Sequence, residues 1–391
     1  MSHISFDNTE IAFASKSDAD LNRSYLLFTM VSRTSWVKIG KRFTNIAFSL
    51  RLPISGLIKA TIFKQFCGGE NIDDCANAIK ALGDYKIGTI LDYSVEGKEA
   101  EEEFDKTAGE TLDTIKRAAG DSNIPFCVFK VTGLARFALL EKVSAQAQLN
   151  TQEEKEWQKV KDRVLRICAQ AAATGVPIFI DAEESWIQGA IDALADEMMS
   201  QFNKQKAIVY NTVQLYRKDR LEFIKKSHSL AQKNTYLLGL KLVRGAYMEK
   251  ERERATAINY QNPIQNSKED SDRDYNAALD YCLEHINEIA ICAGTHNEKS
   301  SLHLVELMKK FKVPANDNRV YFSQFLGMSD HISYNLAQAG YNVAKYVPYG
   351  PVKDVLPYLI RRAEENTSVK GQTGRELSLI IKEKQRRKKQ H

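Results

Sequence analysis

The chain has 391 residues, of which 43% are apolar and 27% charged, a balance typical of folded globular proteins rather than disordered ones. Its net charge of +5 resides in the tail at residues 382–389, so the rest is neutral and does not suggest a nucleic-acid-binding surface. The six cysteines form no CxxC pair, which favours a reducing compartment and argues against a disulfide framework or a cysteine-rich zinc site.

The N-terminal segment, residues 1–87, carries helical patterns punctuated by glycine and proline between Leu21 and Leu82. We predict a helical arm or cap that precedes the main domain. Its first residues are acidic and lack a continuous apolar run, so we expect neither a secretory signal nor a transit peptide. No stretch reaches the roughly 18–20 uninterrupted apolar residues that span a bilayer. We therefore expect a soluble, cytoplasmic protein.

From residue 88 onward, short runs of β-branched and aromatic residues alternate with longer helical patterns. The eight runs cover residues 88–97, 126–133, 176–185, 207–216, 238–247, 290–297, 319–327 and 343–350. Strands separated by helices imply parallel pairing, because a parallel neighbour requires a long crossover. The pattern predicts an α/β fold, an eightfold β/α (TIM-like) barrel over residues 88–370. An open doubly wound sheet is less favoured, since no glycine-rich phosphate loop follows the first run.

Polar residues follow these runs, at the strand ends where a barrel of this kind places its active site. They are Lys130, Asp181, Glu183, Glu184, Gln214, Arg244, Tyr247, Thr295, His296, Asn297, Gln324 and Tyr346.

Several of these residues also have a purely structural interpretation. Lys130 is either a surface lysine with a buried stem or a functional one. For Glu183 and Glu184 we favour helix N-capping, whereas Asp181 lies closer to the strand and could pair with a lysine. His296 is expected to be a hydrogen-bonded structural histidine rather than a metal ligand. One histidine and one well-placed carboxylate make a metal site unfavoured.

The helix predicted after the eighth run carries an unusual face. Tyr358, Arg361, Arg362 and Glu365 stand at positions i, i+3, i+4 and i+7 and therefore share one side. An exposed salt-bridge ladder is one explanation, and it would contribute little to stability. Two arginines beside an aromatic residue favour recognition of a carboxylate or phosphate.

Four segments, KLVRGAYMEKERERA, GTHNEKS, YFSQFLGMSDHISYNLAQAGYNVAKYVPYGP and VLPYLIRRAEENTSVKG, resemble the flavin-dependent proline dehydrogenases. The resemblance runs in order from Lys130 to Gly371 and is closest to the monofunctional, mitochondrial-type enzymes, which together with the missing transit peptide implies a bacterial member. It implies oxidation of L-proline to pyrroline-5-carboxylate by hydride transfer to FAD. It further implies electron transfer to a membrane quinone or another acceptor, and a separate pyrroline-5-carboxylate dehydrogenase downstream.

The resemblance also implies roles for individual residues. Arg361 and Arg362 would clamp the proline carboxylate, with Glu365 holding a guanidinium, and Tyr346 and Tyr358 would wall the proline ring. Lys130, also a substrate-binding residue, and Asp181 would be the polar residues over the substrate. The implied catalytic residues are Lys130, Asp181, Lys241 and Tyr247. The implied FAD contacts are Ala182, Gln214, Lys241, Val243, Arg244, Gly245, Ala246, Thr295, His296 and Asn297.

Two details qualify the resemblance. Many bacterial relatives read RLVKGAY where this chain reads KLVRGAY, so the cations at Lys241 and Arg244 are exchanged. Both positions stay positive, which suits a flavin that gains negative charge on reduction. A sister group that prefers hydroxyproline has serine where this chain has Tyr346, so we favour proline. The alternatives are a hydroxyproline dehydrogenase and a flavin-free barrel aldolase or hydrolase that uses Lys130 or a metal.

The last segment, residues 371–391, is predicted to be a C-terminal helix with a basic tail. We favour a solvated, frayed helix end. The alternative is peripheral contact with anionic lipid of the inner membrane, at about 1 kcal/mol per basic residue, which would suit an enzyme that must reach quinone. A nucleic-acid-binding function would rest on this tail alone and is not favoured.

Overall fold

The computed structural model describes residues 4–31, 55–94, 99–368 and 372–390. For residues 31, 55, 57, 363–368, 372 and 373 it describes the backbone only. The chain divides into two compact units, one formed by residues 1–96 and 324–391 and the other by residues 97–323. They are called here the terminal unit and the central unit.

Eight parallel strands follow one another in chain order around a closed barrel. They are β1 Ile87–Tyr93, β2 Phe126–Lys130, β3 Ile178–Asp181, β4 Val209–Gln214, β5 Leu238–Val243, β6 Ile289–Gly294, β7 Val320–Phe325 and β8 Val343–Tyr349. All eight predicted strands and the β/α barrel are confirmed. Each strand ends before its sequence run does, because the polar and glycine residues at the end of the run leave the sheet for the following loop.

The helices alternate with these strands and extend beyond them at both ends of the chain. They are α1 Thr9–Ala12, α2 Asp18–Val31, α3 Ser55–Ile58, α4 Lys64–Phe66, α5 Ala76–Gly83, α6 Glu101–Ala118, α7 Phe137–Ser144, α8 Thr151–Thr174, α9 Ser185–Phe202, α10 Arg220–Lys233, α11 Met248–Ala257, α12 Lys268–Glu284, α13 Glu298–Lys310, α14 Asp330–Gln338, α15 Val352–Ser368 and α16 Gln372–Lys388. A π-helical turn, Lys59–Phe63, joins α3 to α4, and 3-10 turns occupy Asp73–Cys75 and Val131–Gly133.

Local sequence explains where α8 begins and ends. The Asn150 side chain accepts hydrogen bonds from the backbone N–H groups of Gln152 and Glu153, and the Glu153 carboxylate accepts one from the N–H of Asn150. This capping box satisfies donors that the first turn leaves open. At the other end Gly175 adopts φ 70°, the left-handed conformation that closes a helix and that glycine adopts without strain.

One face of the sheet in the central unit changes from aromatic to polar along the strands. The rings of Phe126 and Phe179 stack with 4.4 Å between centroids, and Tyr210 meets Phe179 edge to face at 5.5 Å. Side chains alternate between the faces of a strand, so Asp181 and Thr212, two residues further on, share this face. The aromatic layer thus supports polar groups at the carboxyl ends of the strands.

In the terminal unit, the helical N-terminal segment packs against the C-terminal helix. Phe13, Leu21 and Phe28 form a buried cluster with Leu379 and Ile380 of α16. The helical character predicted for the N-terminal segment is confirmed over the described residues. The predicted division of the chain at residues 87 and 370 stays a prediction.

The basic end of α16 is not a frayed helix end. Glu383 is fully buried and accepts hydrogen bonds from Arg386 and Arg387. Arg387 also binds the carboxylate of Asp18 at 2.7 Å, and Arg386 lies 3.3 Å from that of Glu10. The expectation of a solvated end is therefore wrong for these two arginines, because the N-terminal helices supply carboxylates for them. Among the described helices, none has the length and apolar character needed to cross a membrane.

Candidate active site

In the central unit, the carboxyl ends of β2, β3 and β5 bring together one carboxylate and two lysines. The Asp181 carboxylate accepts a hydrogen bond from the ammonium group of Lys241, and its second oxygen lies 3.6 Å from Nζ of Lys130. Asp181 and Lys241 are buried, and Lys130 is half-buried. Because an isolated buried charge is costly, this carboxylate and these ammonium groups stabilise one another. Three predicted site residues are therefore in close contact.

An aromatic ring fixes Lys241 from a second side. Nζ of Lys241 lies 5.3 Å from the ring centroid of Phe179, within the range of a cation–π interaction. Phe179 precedes Asp181 by two residues on β3, so both project to the same face of the sheet. The ammonium group of Lys241 is thus held between a ring and a carboxylate of the same strand.

Glu183 connects the loops that follow β2 and β3. Its carboxylate accepts hydrogen bonds from the hydroxyl and, at 3.1 Å, from the backbone N–H of Thr132. Burial raises the pKa of Glu183 to about 7, although the hydrogen bonds from Thr132 oppose the rise. Its carbonyl oxygen accepts a 2.7 Å hydrogen bond from Nε2 of Gln214. Glu183 thereby joins the ends of three strands, including the two that carry Lys130 and Asp181.

The N-terminus of α9 is capped by a distant carboxylate. Glu184 occupies the N-cap position, but its side chain makes no capping hydrogen bond and instead pairs with Lys250 at 2.9 Å. The fully buried carboxylate of Glu251 on α11 accepts hydrogen bonds from the N–H and hydroxyl of Ser185, both at 2.6 Å. The predicted capping roles of Glu183 and Glu184 are therefore wrong, because α11 supplies the carboxylate.

Arg244, just after β5, is held by several partners. Its guanidinium donates hydrogen bonds to Asp272 at 2.6 Å and to the hydroxyls of Thr295 and Ser300, both at 2.9 Å. The ring of Tyr275 lies 4.4 Å from the guanidinium carbon. All three guanidinium nitrogens donate to different residues, a geometry that a lysine ammonium group does not reproduce.

The loop after β6 carries Thr295, His296 and Asn297. Thr295 is buried, and its hydroxyl accepts hydrogen bonds from Arg244 and from the N–H of Asn297. The Asn297 side chain caps α13 by accepting from the N–H of Ser300 at 3.1 Å. His296 is half-buried between them. The described hydrogen bonds of Thr295 and Asn297 thus join this loop to Arg244 and to the first turn of α13.

Beyond β5 the backbone is exposed at Gly245 and Ala246. Gly245 has φ 138°, and a Cβ atom there would overlap the ring of Tyr216. Only glycine fits this position, which leaves a side chain-free stretch of backbone where a ligand can approach closely. Tyr247 then occupies the N-cap position of α11, with Nζ of Lys250 at 5.5 Å from its ring centroid.

In the terminal unit, Arg362 of α15 is buried among aromatic rings. Its guanidinium carbon lies 4.1 Å from the ring centroid of Phe325 and 5.1 Å from that of Tyr358. Phe325 also meets Tyr346 edge to face, with 5.7 Å between centroids. Arg361 precedes Arg362 and is half-buried. Both distances lie within the range of cation–π interactions, so the two rings help to hold the guanidinium in position.

The helix that carries these arginines is confirmed, since α15 spans Val352–Ser368 and continues through Pro357. Tyr358 and Arg362, one turn apart, are both buried. Glu365 lies where only the backbone is described, so its predicted contact with a guanidinium stays a prediction.

Comparison with known proteins decides the family. The sequence profile of the proline dehydrogenase family matches residues 75–375 of the chain. The chain belongs to the proline dehydrogenase family. It is 33% identical to proline dehydrogenase 1, mitochondrial, of Dictyostelium discoideum over 97% of its own length and 74% of that protein's. It is 31% identical to the hydroxyproline dehydrogenase of Xenopus laevis over 96% of its own length and 88% of that protein's.

The fold of this proline dehydrogenase family member also matches a solved structure. Proline utilization A from Bdellovibrio bacteriovorus, inactivated by N-propargylglycine, superposes with a TM-score of 0.72 at 20% identity. The alignment covers 94% of this chain and 40% of that one. At this level of identity the match establishes the fold alone.

Sequence reasoning missed two side chains and misinterpreted a third. In the central unit, Glu251 caps α9, and Glu183, predicted to cap a helix, connects three strand ends instead. In the terminal unit, Phe325 packs against Arg362. Phe325 directly follows Gln324, which the sequence places at a strand end. An aromatic residue at that position could therefore have been predicted to lie near the site. Nothing local marks Glu251, because its partner Ser185 is 66 residues away.

Proposed function

We propose that this protein oxidises L-proline to pyrroline-5-carboxylate with FAD as its cofactor. The observation that carries the proposal is the buried Arg362, stacked on Phe325 and Tyr358 and preceded by Arg361. A substrate with one carboxylate and one apolar ring suits paired arginines bordered by aromatic rings. Membership of the proline dehydrogenase family supports the same reaction.

In this proposal the terminal unit binds the substrate. Arg361 and Arg362 take the carboxylate, Tyr346 and Tyr358 wall the ring, and Glu365 holds a guanidinium in place. An arginine whose flat face is fixed by rings can receive a carboxylate without first being ordered. Catalysis then rests on positioning, because a held carboxylate and a confined ring determine which carbon is presented for reaction.

The residues at the ends of β4 and β5 have properties that suit FAD. Oε1 of Gln214 and Oγ1 of Thr212 are buried without a hydrogen-bond partner among the described residues, so a ligand N–H group would satisfy an otherwise costly acceptor. Lys241 and Arg244 supply positive charge, and Gly245 exposes backbone. The proposed contacts are Ala182, Gln214, Lys241, Val243, Arg244, Gly245, Ala246, Thr295, His296 and Asn297.

When bound, FAD supplies the acceptor for the hydride that leaves the ring carbon next to nitrogen. The protein's own contribution at these strand ends is electrostatic. Asp181 holds Lys241 and Lys130 in place, and their positive charge would stabilise the negative charge that a bound flavin gains on reduction. Tyr247 borders the same loop.

The visible absorption spectrum of the purified protein tests the proposal. Flavin bands that bleach on anaerobic addition of L-proline would support both the cofactor and the reaction. Bands that persist with L-proline would refute proline as the substrate. A protein that stays colourless after reconstitution with FAD would refute the cofactor and favour a flavin-free barrel aldolase or hydrolase.

Hydroxyproline is the second candidate substrate, favoured by the Xenopus laevis relative. Tyr346 argues against hydroxyproline. This residue is only 5% exposed and packs on Phe325, so it would narrow the space beside the proposed ring site. Tyr346→Ser should weaken proline use and relax exclusion of 4-hydroxyproline, whereas Tyr346→Phe keeps the ring and should preserve discrimination. Equal discrimination in all three proteins would discard this role of Tyr346.

The onward path of the electrons and product completes the proposal. A membrane quinone or another acceptor would take the electrons, and a separate dehydrogenase would oxidise pyrroline-5-carboxylate. For peripheral membrane contact, Lys388 and Lys389 remain exposed, whereas Arg386 and Arg387 bind carboxylates of this chain. Liposome co-sedimentation with and without residues 388–391 tests that contact, and unchanged binding would reject it.

A further inference from the structure

A cluster of two histidines, a glutamate and a tyrosine lies in the central unit, just before β6. His228 comes from α10, His285 follows the last residue of α12, and Glu288 directly precedes β6. One ligand-capable atom from each of these three residues lies within 4.8 Å of the other two. They lie at the amino-terminal end of β6, whereas the proposed flavin contacts Thr295, His296 and Asn297 follow its carboxyl end.

We propose that His228, His285 and Glu288 form a binding site for a zinc ion, with a fourth position open to water. Two imidazole nitrogens and one carboxylate oxygen are a ligand set that zinc binds in tetrahedral geometry, with bonds of about 2.0–2.2 Å. Such bonds place neighbouring ligand atoms roughly 3.3 Å apart. The three ligand atoms, now within 4.8 Å of one another, must therefore draw closer together when an ion binds.

The surrounding hydrogen bonds resemble those that orient metal ligands. Nδ1 of His228 lies 2.9 Å from the hydroxyl of Tyr281, which leaves Nε2 facing Glu288 at 2.7 Å. Gln232 donates a 3.0 Å hydrogen bond to Oε2 of Glu288. Hydrogen bonds of this kind, from residues that do not bind the metal themselves, fix the ring orientation and the tautomer of a coordinating histidine.

The site is accessible and partly ordered before an ion arrives. His228 is buried, its ring stands 4.8 Å from that of His285, and the Glu288 side chain is 46% exposed. The ion would enter from the solvent side, at Glu288. With no ion bound, His228 Nε2 donates to Glu288. Zinc binding at Nε2 requires the other tautomer, in which the proton moves to Nδ1 and is donated to the hydroxyl of Tyr281.

Zinc titration of tag-free, chelator-treated full-length protein, in competition with a chelating indicator, tests the site. We expect one Zn²⁺ per chain. His285→Ala and Glu288→Gln should each weaken binding by at least about tenfold, and Tyr281→Phe by about tenfold through loss of the orienting contact. His303→Ala is the matched control, because His303 pairs only with Asp280 at 3.0 Å within the described part of the chain.

The outcomes separate a metal site from a hydrogen-bonded cluster. One zinc ion per chain, lost in the His285 and Glu288 variants and kept in the His303 variant, supports the proposal. Absence of stoichiometric binding, or equal binding in all variants, overturns it. Both substituted side chains are partly exposed, so circular dichroism and the unfolding midpoint should match the parent protein. No step of this test depends on the proposed enzymatic activity.

Discussion

Each unit of the molecule contains a buried lysine–aspartate pair, and the two pairs differ in where they lie along the strands. In the terminal unit, Lys345 is fully buried and donates to Asp330 at 2.7 Å and to two backbone carbonyl oxygens, those of Met328 at 2.7 Å and Phe325 at 3.3 Å. Its three N–H groups thus meet three acceptors within the protein. The same residue types in the central unit, Lys241 and Asp181, are arranged differently.

Asp181 is shared between two lysines. Lys241 donates to one of its oxygens, and half-buried Lys130 lies 3.6 Å from the other. Asp330 likewise has a second lysine, Lys16 at 3.1 Å, so the number of cations does not distinguish the pairs. Lys345 lies in the first half of β8, where its pair fixes the fold, whereas Asp181 lies at the carboxyl end of β3, where its pair fixes charges at the strand ends. Residue type and burial alone therefore do not separate a structural pair from a functional one.

The largest effect is expected from Asp330→Asn. The change leaves the buried charge of Lys345 without its carboxylate, and breaking a buried pair in this way costs about 3–5 kcal/mol. We expect that loss in the free energy of unfolding measured with denaturant, whereas kcat/KM of the folded protein stays close to the parent value.

The control for this change is Asp84→Asn, which removes the partner of Lys80. Both side chains of that pair are exposed, at 58% and 77%, so the change should be nearly neutral. A comparable loss of stability in both variants would contradict the structural role assigned to Asp330.

The decrease in the free energy of unfolding at acidic pH should also report on the pair of Asp330 and Lys345. Burial alone would raise the pKa of Asp330, but the charges of Lys345 and Lys16 lower it to about 2. A lowered pKa means that Asp330 contributes stability above its unfolded pKa of about 3.9, and that this contribution of about 2–3 kcal/mol disappears as pH falls toward 2. The difference in unfolding free energy between the parent protein and Asp330→Asn should shrink over that range. A constant difference would refute the assignment.

Arg362→Lys should reduce kcat/KM for proline, mainly through KM. Lysine keeps the charge but loses the planar fork and its stacking on Phe325, worth about 1.5–3 kcal/mol, or roughly 10–150-fold. Steady-state kinetics with Lys353→Arg, an exposed position on the same helix, provides the control. An unchanged KM in the Arg362 variant would remove Arg362 from the proposed carboxylate clamp.

The smallest expected effect is that of Asp181→Asn, about 1.4 kcal/mol or tenfold in kcat/KM. The neutral amide of asparagine does not offset the positive charges of Lys241 and Lys130, so the electrostatic balance at the strand ends changes. Comparison with Asp330→Asn tests the contrast between the pairs directly. If both variants lose activity to the same degree, the two pairs do not differ in role.

Much of the fold follows from local pattern. Alternation of β-branched runs with helical segments predicted all eight strands, because period and length are properties of neighbouring residues. The positions of Lys130 and Asp181 at strand ends followed from the same pattern, and so did the shared helical face of Tyr358 and Arg362. These predictions required only the repeat of each element and the barrel rule for strand ends.

Contacts between distant segments could not be predicted in this way. Glu183 resembled a helix cap, yet its carboxylate turns to Thr132, and Glu251 caps α9 from α11. The tail resembled a frayed helix end, yet Arg386 lies 3.3 Å from Glu10 and Arg387 pairs with Asp18 at 2.7 Å. In each case a carboxylate pairs with a hydrogen-bond donor of another element. Spacing along the sequence does not reveal which donor and which carboxylate are nearest in space.

The sequence by itself determined the order of the strands, the helices between them and the chemical character of the strand ends, because these depend on period, length and residue type. Only the tertiary structure decided the partner of each charge. It placed Lys241 on Asp181 and Lys345 on Asp330, and it seated Arg362 on Phe325. The physical reason is that the energy of a buried charge depends on atoms within a few ångströms, whatever their separation along the chain.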